Sequence, residues 1–102
     1  TWCPPCREEM PLFNDLRAKY VADDFEVLAV TVDDLPHEVV PDFVEEFALD
    51  FPILIGTPEV LEDYDFFGLP TTFVISREGR IVEVLDGAQP LDTFDPLIQK
   101  HL

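Results

Sequence analysis

The 102-residue chain is poor in basic residues, histidine and cysteine, and each scarcity excludes a class of site or partner. Six lysines and arginines stand against 22 acidic residues, which gives a formal net charge of −16 at pH 7. Such a surface repels phosphate groups, so we expect neither nucleic acid nor anionic membrane surfaces as partners. The two histidines, His37 and His101, are neither clustered nor at zinc-finger spacing from the two cysteines, so we predict no metal site.

Long apolar runs and internal divisions are also missing. No apolar stretch approaches the roughly 18 residues of a membrane-spanning helix, so we expect no direct membrane insertion by this segment. No linker, repeat or low-complexity tract divides the chain. Its length and its 47% hydrophobic content predict a single domain, residues 1–102, with one core.

The only two cysteines stand three residues apart near the start of the chain, in the segment Thr1-Trp2-Cys3-Pro4-Pro5-Cys6-Arg7. Pro4 and Pro5 fix φ near the helical value and lack an N–H, which places Cys3 at a helix N-cap and Cys6 in the first turn. The two sulfurs are then close enough to bridge. Unpaired N–H groups and the positive end of the helix favour a thiolate at Cys3.

Haem attachment and a purely structural role fit this cysteine pair less well. Haem attachment needs a histidine directly after the second cysteine, where Arg7 stands. A purely structural disulfide closing so short a loop adds little stability. The pattern therefore indicates thiol redox chemistry that needs no cofactor beyond a Cys3–Cys6 disulfide.

Helices and strands are predicted to alternate along the chain. Met10, Phe13, Leu16 and Tyr20 recur at helical spacing and predict a first helix from about residue 5 to 20. Phe25–Val32 is almost continuously apolar and predicts a strand buried on both faces, as in a parallel sheet. The remaining predicted elements are a helix around 43–48 with Pro41 in or near its first turn, an extended segment over 51–55, a short helix over 59–64, a hairpin of strands 72–76 and 81–85, and a closing helix containing 91–98.

Two motifs carry a resemblance to a known family. The segment from Trp2 to Pro11 resembles the active-site segment of the TlpA/ResA-like branch of the thioredoxin superfamily, including a proline five residues after the second cysteine. Gly68-Leu69-Pro70-Thr71-Thr72-Phe73 is similar to the cis-proline loop of the superfamily. The resemblance covers essentially the whole chain and implies an α/β thioredoxin-like fold, with a central mixed sheet and flanking helices.

The resemblance also implies roles for individual residues. Cys3 would be the exposed attacking thiol and Cys6 the buried resolving thiol. Pro70 would be a cis-proline packed against the pair, and Leu69 would offer backbone hydrogen bonds to an extended substrate. Trp2 would be either a core aromatic or part of the docking surface beside the sulfurs.

An acidic residue near the cysteines is a further expectation. ResA-like members carry a glutamate just after the strand that follows the active-site helix, and Asp34 is the better match in Val32-Asp33-Asp34. The carboxyl end of such a strand is where open α/β sheets place their sites. A solvated loop acid is the alternative interpretation of Asp34.

The implied function is a thiol–disulfide oxidoreductase that reduces protein disulfides outside the cytoplasm, for example the haem-site cysteines of apocytochrome c. A membrane thiol donor would recharge it, and sequence upstream of Thr1 would export or anchor it. A cytosolic reductase resembling tryparedoxin or nucleoredoxin is the enzymatic alternative. A binding or metal-handling module that keeps the fold without catalysis is the alternative from another class.

The start of the chain departs from the superfamily pattern. There, a central strand runs directly into the active-site helix, whereas this chain has only two residues before Cys3. A crossover helix needs a strand on each side. We therefore expect an N-terminally truncated domain that lacks the strand or strands before the helix, with two apolar strand edges unpaired.

Overall fold

A computed structural model describes residues 1–102, which form four α-helices, one short 3-10 helix and four strands. The helices are α1 (Pro4–Tyr20), α2 (Pro36–Phe47), α3 (Pro58–Tyr64) and α4 (Leu91–His101), and the 3-10 helix is Val21–Asp23. The strands are β1 (Ala29–Thr31), β2 (Ile53–Ile55), β3 (Thr71–Ile75) and β4 (Ile81–Asp86).

Helix α1 begins and ends where its sequence predicts. Cys3 is the N-cap and two prolines occupy the first turn. Arg17 and Lys19 lie in the last turn, where their positive charges interact favourably with the negative end of the helix dipole. The helix continues through Pro11. Its buried face consists of Glu9, Phe13, Leu16 and Tyr20.

Strand β1 is shorter than predicted. Ala29–Thr31 pairs with Ile53–Ile55 in parallel, and the flanking apolar residues of the predicted strand 25–32 do not join the ladder. The prediction of burial on both faces is wrong, since Leu28 is 60% exposed and Val30 is 46% exposed. Both residues line an open, mainly apolar groove instead of a packed interior.

The residue after β2 must be glycine, because the backbone of β1 lies very close to it. The N–H of Gly56 donates to the carbonyl of Thr31 at 2.9 Å. A Cβ at position 56 would lie 2.8 Å from that same oxygen, so only glycine fits without a backbone shift.

Helix α2 begins earlier than predicted, because Pro36 starts it and Pro41 lies inside it. Its C-cap, Ala48, is in the left-handed region with φ 49°. Ala48, which we predicted to lie within the helix around 43–48, is therefore the exposed cap that follows it.

Strands β3 and β4 form the predicted antiparallel hairpin. The turn is closed by the N–H of Ser76, which donates to the carbonyl of Arg80 at 2.8 Å, and it contains Gly79 at φ +82°. The pairing runs from Thr71 opposite Asp86 to Ile75 opposite Ile81.

The sheet is divided into two halves. The β1–β2 pair and the β3–β4 pair do not hydrogen-bond to each other. A mainly apolar groove of about 830 Å³ is lined by residues of both β1 and β3 and by the buried faces of α1 and α4. Parallel and antiparallel pairs are both present, and β1 and β3 each keep one edge unpaired, as expected for a domain that lacks the strand between them.

The core lies between α1, α2 and α4. Phe13 packs against Phe94 at 5.1 Å and against Phe51 at 6.3 Å between ring centroids. The buried apolar cluster consists of Phe13, Leu16, Tyr20, Phe43, Leu49, Phe51, Phe94 and Ile98. This cluster packs against the buried face of α1 and thereby fixes the position of the N-terminus of that helix.

Candidate active site

The two cysteines form a disulfide at the N-terminus of α1, with their Cα atoms 5.2 Å apart. The backbone N–H of Cys6 donates to Sγ of Cys3 at 3.3 Å, and the N–H of Arg7 donates to the carbonyl of Cys3 at 3.0 Å. The helix start therefore directs a donor at the Cys3 sulfur, which stabilises negative charge there once the disulfide is reduced.

The exposure of the two cysteines differs from the expectation. Cys3 is only 5% exposed, whereas Cys6 is half-buried. The expected exposed Cys3 and buried Cys6 are thus wrong for the disulfide form. Cys3 lines the apolar groove that Leu69 and Pro70 also line, and the exposed positions of the first turn are Pro4 and Pro5.

Trp2 lies on the surface beside the disulfide. It is 66% exposed, which excludes the core position that we considered for it. It lines a shallow depression together with Asp34, Leu35 and Val39. Trp2 and Leu35, itself 60% exposed, thus place apolar surface next to the cysteines.

The second motif lies across the groove from the cysteines. The Leu69–Pro70 peptide bond is cis, Pro70 is buried, and both residues line the groove that Cys3 and Cys6 also line. The hydroxyl of Thr71 donates to the carbonyl of Gly68 at 2.6 Å, and the N–H of Gly87 donates to the carbonyl of Pro70 at 2.8 Å. These bonds hold the loop beside the disulfide.

The acidic residue at the end of β1 that makes contacts is Asp33. Its carboxylate accepts hydrogen bonds from the hydroxyls of Thr1, at 2.7 Å, and Thr31, at 2.6 Å. Burial opposes its ionisation, but these hydrogen bonds outweigh burial and hold the pKa of Asp33 below its usual range. Asp33 thereby ties the segment before Cys3 to the end of β1.

Asp34, the acid singled out from the sequence, is exposed and makes no hydrogen bond. Both acids follow the end of β1, and the hydrogen bonds from Thr1 and Thr31 go to Asp33. A role for Asp34 in the chemistry stays a prediction.

Glu9 is a site residue that we did not predict. It is 1% exposed, and its Oε2 accepts the backbone N–H of Gln89 at 2.7 Å, while its Oε1 has no partner. Burial raises the pKa of Glu9, against the opposing effect of the Gln89 hydrogen bond. Because it follows Cys6 by three residues on one helix, it lies on the same helical face as that cysteine.

A signal for Glu9 exists in the sequence. Positions 9, 13, 16 and 20 share one helical stripe, and three of them are apolar core residues. A carboxylate in such a stripe is an exception to the rule that charged residues avoid burial without a partner.

Arg7 fixes the first turn of α1 against α2. Its guanidinium donates two hydrogen bonds of 2.7 Å to the carboxylate of Glu46 and lies 5.0 Å from the Phe47 ring centroid and 5.4 Å from that of Phe43. It also donates to the carbonyl of Thr1 at 3.0 Å. Arg7 is therefore held by α2 and is directed away from the sulfurs.

Two further structural findings concern ligands and membranes. Histidine, cysteine and acidic side chains form no group of three or more that could hold a metal ion. No helix is both long enough and apolar enough to cross a bilayer.

Comparison with known sequences places these features in a family. The sequence profile of the AhpC/TSA family matches residues 1–84. The thiol-disulfide oxidoreductase ResA of Geobacillus kaustophilus is 39% identical over 103 residues, which cover 100% of this chain and 56% of that protein. ResA of Bacillus cereus strain ATCC 10987 is 33% identical over 101 residues, 98% of this chain and 58% of that protein. The chain thus spans somewhat more than half the length of these relatives.

Solved structures share the architecture. A protein described as thiol:disulfide interchange protein DsbE from Chlorobium tepidum superposes with a TM-score of 0.89 at 29% identity, over 98% of this chain and 72% of that one. StoA from Bacillus subtilis superposes with a TM-score of 0.78 at 25% identity, over 95% of this chain and 75% of that one. The fold is thioredoxin-like, and the chain belongs to the AhpC/TSA family within the thioredoxin superfamily.

Proposed function

We propose that this domain is a thiol–disulfide oxidoreductase that exchanges its Cys3–Cys6 disulfide with cysteine pairs of protein substrates. One observation carries the proposal: the disulfide lies at a helix N-terminus and lines the same groove as the Leu69–Pro70 loop. The similarity to ResA proteins over nearly the whole chain supports it.

The reaction follows from thiol exchange. In the reduced protein, the Cys3 thiolate attacks one sulfur of a substrate disulfide, the substrate S–S bond breaks, and the other substrate sulfur leaves as a thiolate. Cys6 then loses its proton and attacks Sγ of Cys3. The mixed disulfide breaks, the substrate leaves with both sulfurs reduced, and two electrons have passed from the cysteine pair to the substrate.

The chain supplies a group for each charge change. The N–H of Cys6 and the helix N-terminus stabilise the Cys3 thiolate, which makes Cys3 the attacking sulfur despite its burial in the disulfide form. Glu9, with one unpartnered oxygen on the face of Cys6, accepts the proton that Cys6 must lose. Its raised pKa makes it a stronger base than an exposed glutamate.

Substrate binding uses the exposed rim of the groove. The backbone of Leu69, next to the buried Pro70, would bond an extended substrate strand. Trp2 would contact apolar substrate side chains, because most of its surface is free.

We further propose a reductive role outside the cytoplasm, with haem-site cysteines of apocytochrome c as one substrate and a membrane thiol donor as the source of electrons. The support for this finer assignment is the resemblance of the Trp2–Pro11 segment to ResA-like proteins and the identity with ResA relatives.

Trapping of the mixed disulfide tests the proposed function. A Cys6→Ser variant keeps the attacking sulfur but cannot resolve the intermediate, so it should accumulate covalent complexes with a disulfide-containing protein such as insulin. A Cys3→Ser variant is the matched control and should accumulate far fewer. The unmodified protein, in catalytic amounts with excess dithiol, should reduce insulin rapidly. Absence of turnover together with absence of trapped complexes would favour a non-catalytic binding module.

A further inference from the structure

A short loop between β4 and α4 contacts two parts of the active site that are about 60 residues apart in sequence. We name Asp86–Gln89 the return loop. The N–H of Gly87 donates to the carbonyl of Pro70 at 2.8 Å, and the N–H of Gln89 donates to Oε2 of Glu9 at 2.7 Å. Two backbone donors, two residues apart, thus hold the cis-proline and the buried acid at once.

The shape of the return loop depends on one glycine. Gly87 has φ +79°, in the left-handed region that side chains rarely adopt, and no atom lies within 4 Å of the position its Cβ would take. The side-chain amide of Gln89 donates to the carbonyl of Asp86 at 3.1 Å and closes the loop. A substitution at Gly87 would therefore act through backbone conformation and not through a clash.

Charged side chains around Glu9 do not account for its placement. Its only hydrogen bond is the one from the Gln89 backbone, although its second oxygen is buried. The acids nearest in sequence to Glu9 and to its donor Gln89 are Glu8 on α1, Asp86 at the end of β4 and Asp92 in the first turn of α4. All three are exposed, and none hydrogen-bonds to Glu9. The titratable group on the same face is Cys6.

We propose that the return loop is a positioning element of the active site, which holds the Glu9 carboxylate on the Cys6 side of the helix and the Pro70 carbonyl in one hydrogen-bonded unit. Gln89 acts through its backbone N–H, and Gly87 gives the loop the conformation that directs both donors. The proposal rests on the proposed function only in taking Cys6 as the thiol that Glu9 serves.

The direction of the effect follows from the hydrogen bond. The Gln89 N–H stabilises the charged form of Glu9, so its loss leaves Glu9 protonated to higher pH. A protonated Glu9 does not repel a Cys6 thiolate. Disturbing the return loop should therefore shift thiolate formation at Cys6 to lower pH.

Alkylation of Cys6 measures this without any need for turnover, so it remains informative even if the protein reduces no disulfide. In a Cys3→Ser background, the rate of Cys6 alkylation by iodoacetamide would be recorded from pH 5 to 10. The perturbing variants are Gly87→Ala, which strains the loop, and Gln89→Pro, which removes the donor. The control is Gly79→Ala, at φ +82° in the hairpin turn with equally open space.

We expect Gly87→Ala and Gln89→Pro to raise the alkylation rate at pH 7 by about twofold or more, with the Gly79→Ala control on the parent profile. In a Glu9→Gln background the same two substitutions should have no effect. Should Gln89→Pro fail to fold, Gly87→Ala against Gly79→Ala gives the answer. Profiles that superpose on the parent profile would overturn the proposal, as would a shift that persists when Glu9 is replaced by glutamine.

Discussion

Glu9→Gln should make the protein more stable relative to the parent as the pH rises. Burial raises the pKa of Glu9 in the folded state above its ordinary value of 4.5. At pH values between 4.5 and the pKa of Glu9 in the folded protein, the native protein therefore binds more protons than the unfolded chain does. Stability linked to Glu9 is fully present below about 4.5 and is lost as the pH rises through the native pKa. Glutamine does not titrate, so the unfolding free energy of the variant does not show this decrease as the pH rises.

The magnitude follows from the linkage relation. Each unit by which the native pKa exceeds the unfolded one removes about 1.4 kcal/mol of unfolding free energy at high pH. The glutamine amide also leaves a buried donor where Oε1 had no partner, at a cost of about 1–3 kcal/mol that does not vary with pH. The titration of Glu9 is therefore measured by how the difference in unfolding free energy between the parent and the variant changes with pH.

Urea unfolding of the oxidised protein at pH 5 and pH 8, followed by far-UV circular dichroism, gives that change. Both values lie above the isoelectric point of about 4.1, and Trp2 fluorescence is a poor probe because the ring is already largely exposed. Glu8→Gln is the control, since Glu8 is exposed one residue earlier on the same helix. The reasoning is refuted if the difference between parent and Glu9→Gln is equal at the two pH values.

Three further predictions concern the cysteines, Arg7 and the open groove. In single-cysteine variants, Cys3 should be alkylated at lower pH than Cys6, because its sulfur accepts the helix N–H; faster modification of Cys6 across the range would reverse the assignment. Arg7→Lys should lower the unfolding free energy by about 1 kcal/mol, since one ammonium cannot bond the Glu46 carboxylate and the Thr1 carbonyl as Nη2 and Nη1 do and also loses the contacts with the rings of α2, whereas Arg80→Lys should be neutral. An apolar strand-forming segment from a longer relative, added before Thr1, should raise Tm and sharpen the thermal unfolding transition, because β1 and β3 both line an open apolar groove. If this chain is already monomeric and unfolds cooperatively, and the extension leaves its unfolding transition unchanged, the prediction is wrong.

Local chemistry explains why α1 and the hairpin could be predicted from the sequence. Two prolines and an N-cap cysteine determine where the helix starts, and the 3–4 spacing of Phe13, Leu16 and Tyr20 determines the face it buries. The hairpin likewise depends on Gly79 at a positive φ. Each signal lies within a few residues of the element it specifies.

Features set by distant segments could not be predicted in this way. The length of β1 depends on which of its edges is paired, and its apolar composition contains no information about that. Cys3 is buried in a groove that it shares with Leu69 and Pro70, more than 60 residues further along the chain, and no local signal at Cys3 indicates this. At the end of β1, Asp33 and Asp34 have the same chemistry, and the contact with Thr1 distinguishes them.

The placement of Glu9 depends on both local and distant parts of the sequence. Its position in an apolar stripe is visible in the sequence, but the reason that the carboxylate is tolerated there is a backbone N–H at position 89. A buried carboxylate with one oxygen bonded and the other unpartnered costs stability at neutral pH, since burial favours its protonated form. Glutamine could accept the same hydrogen bond without that pH-dependent cost. Glutamine would instead bury an unpartnered amide donor, so neither side chain is free of cost here, and what glutamate alone supplies is a group that titrates on the helical face of Cys6.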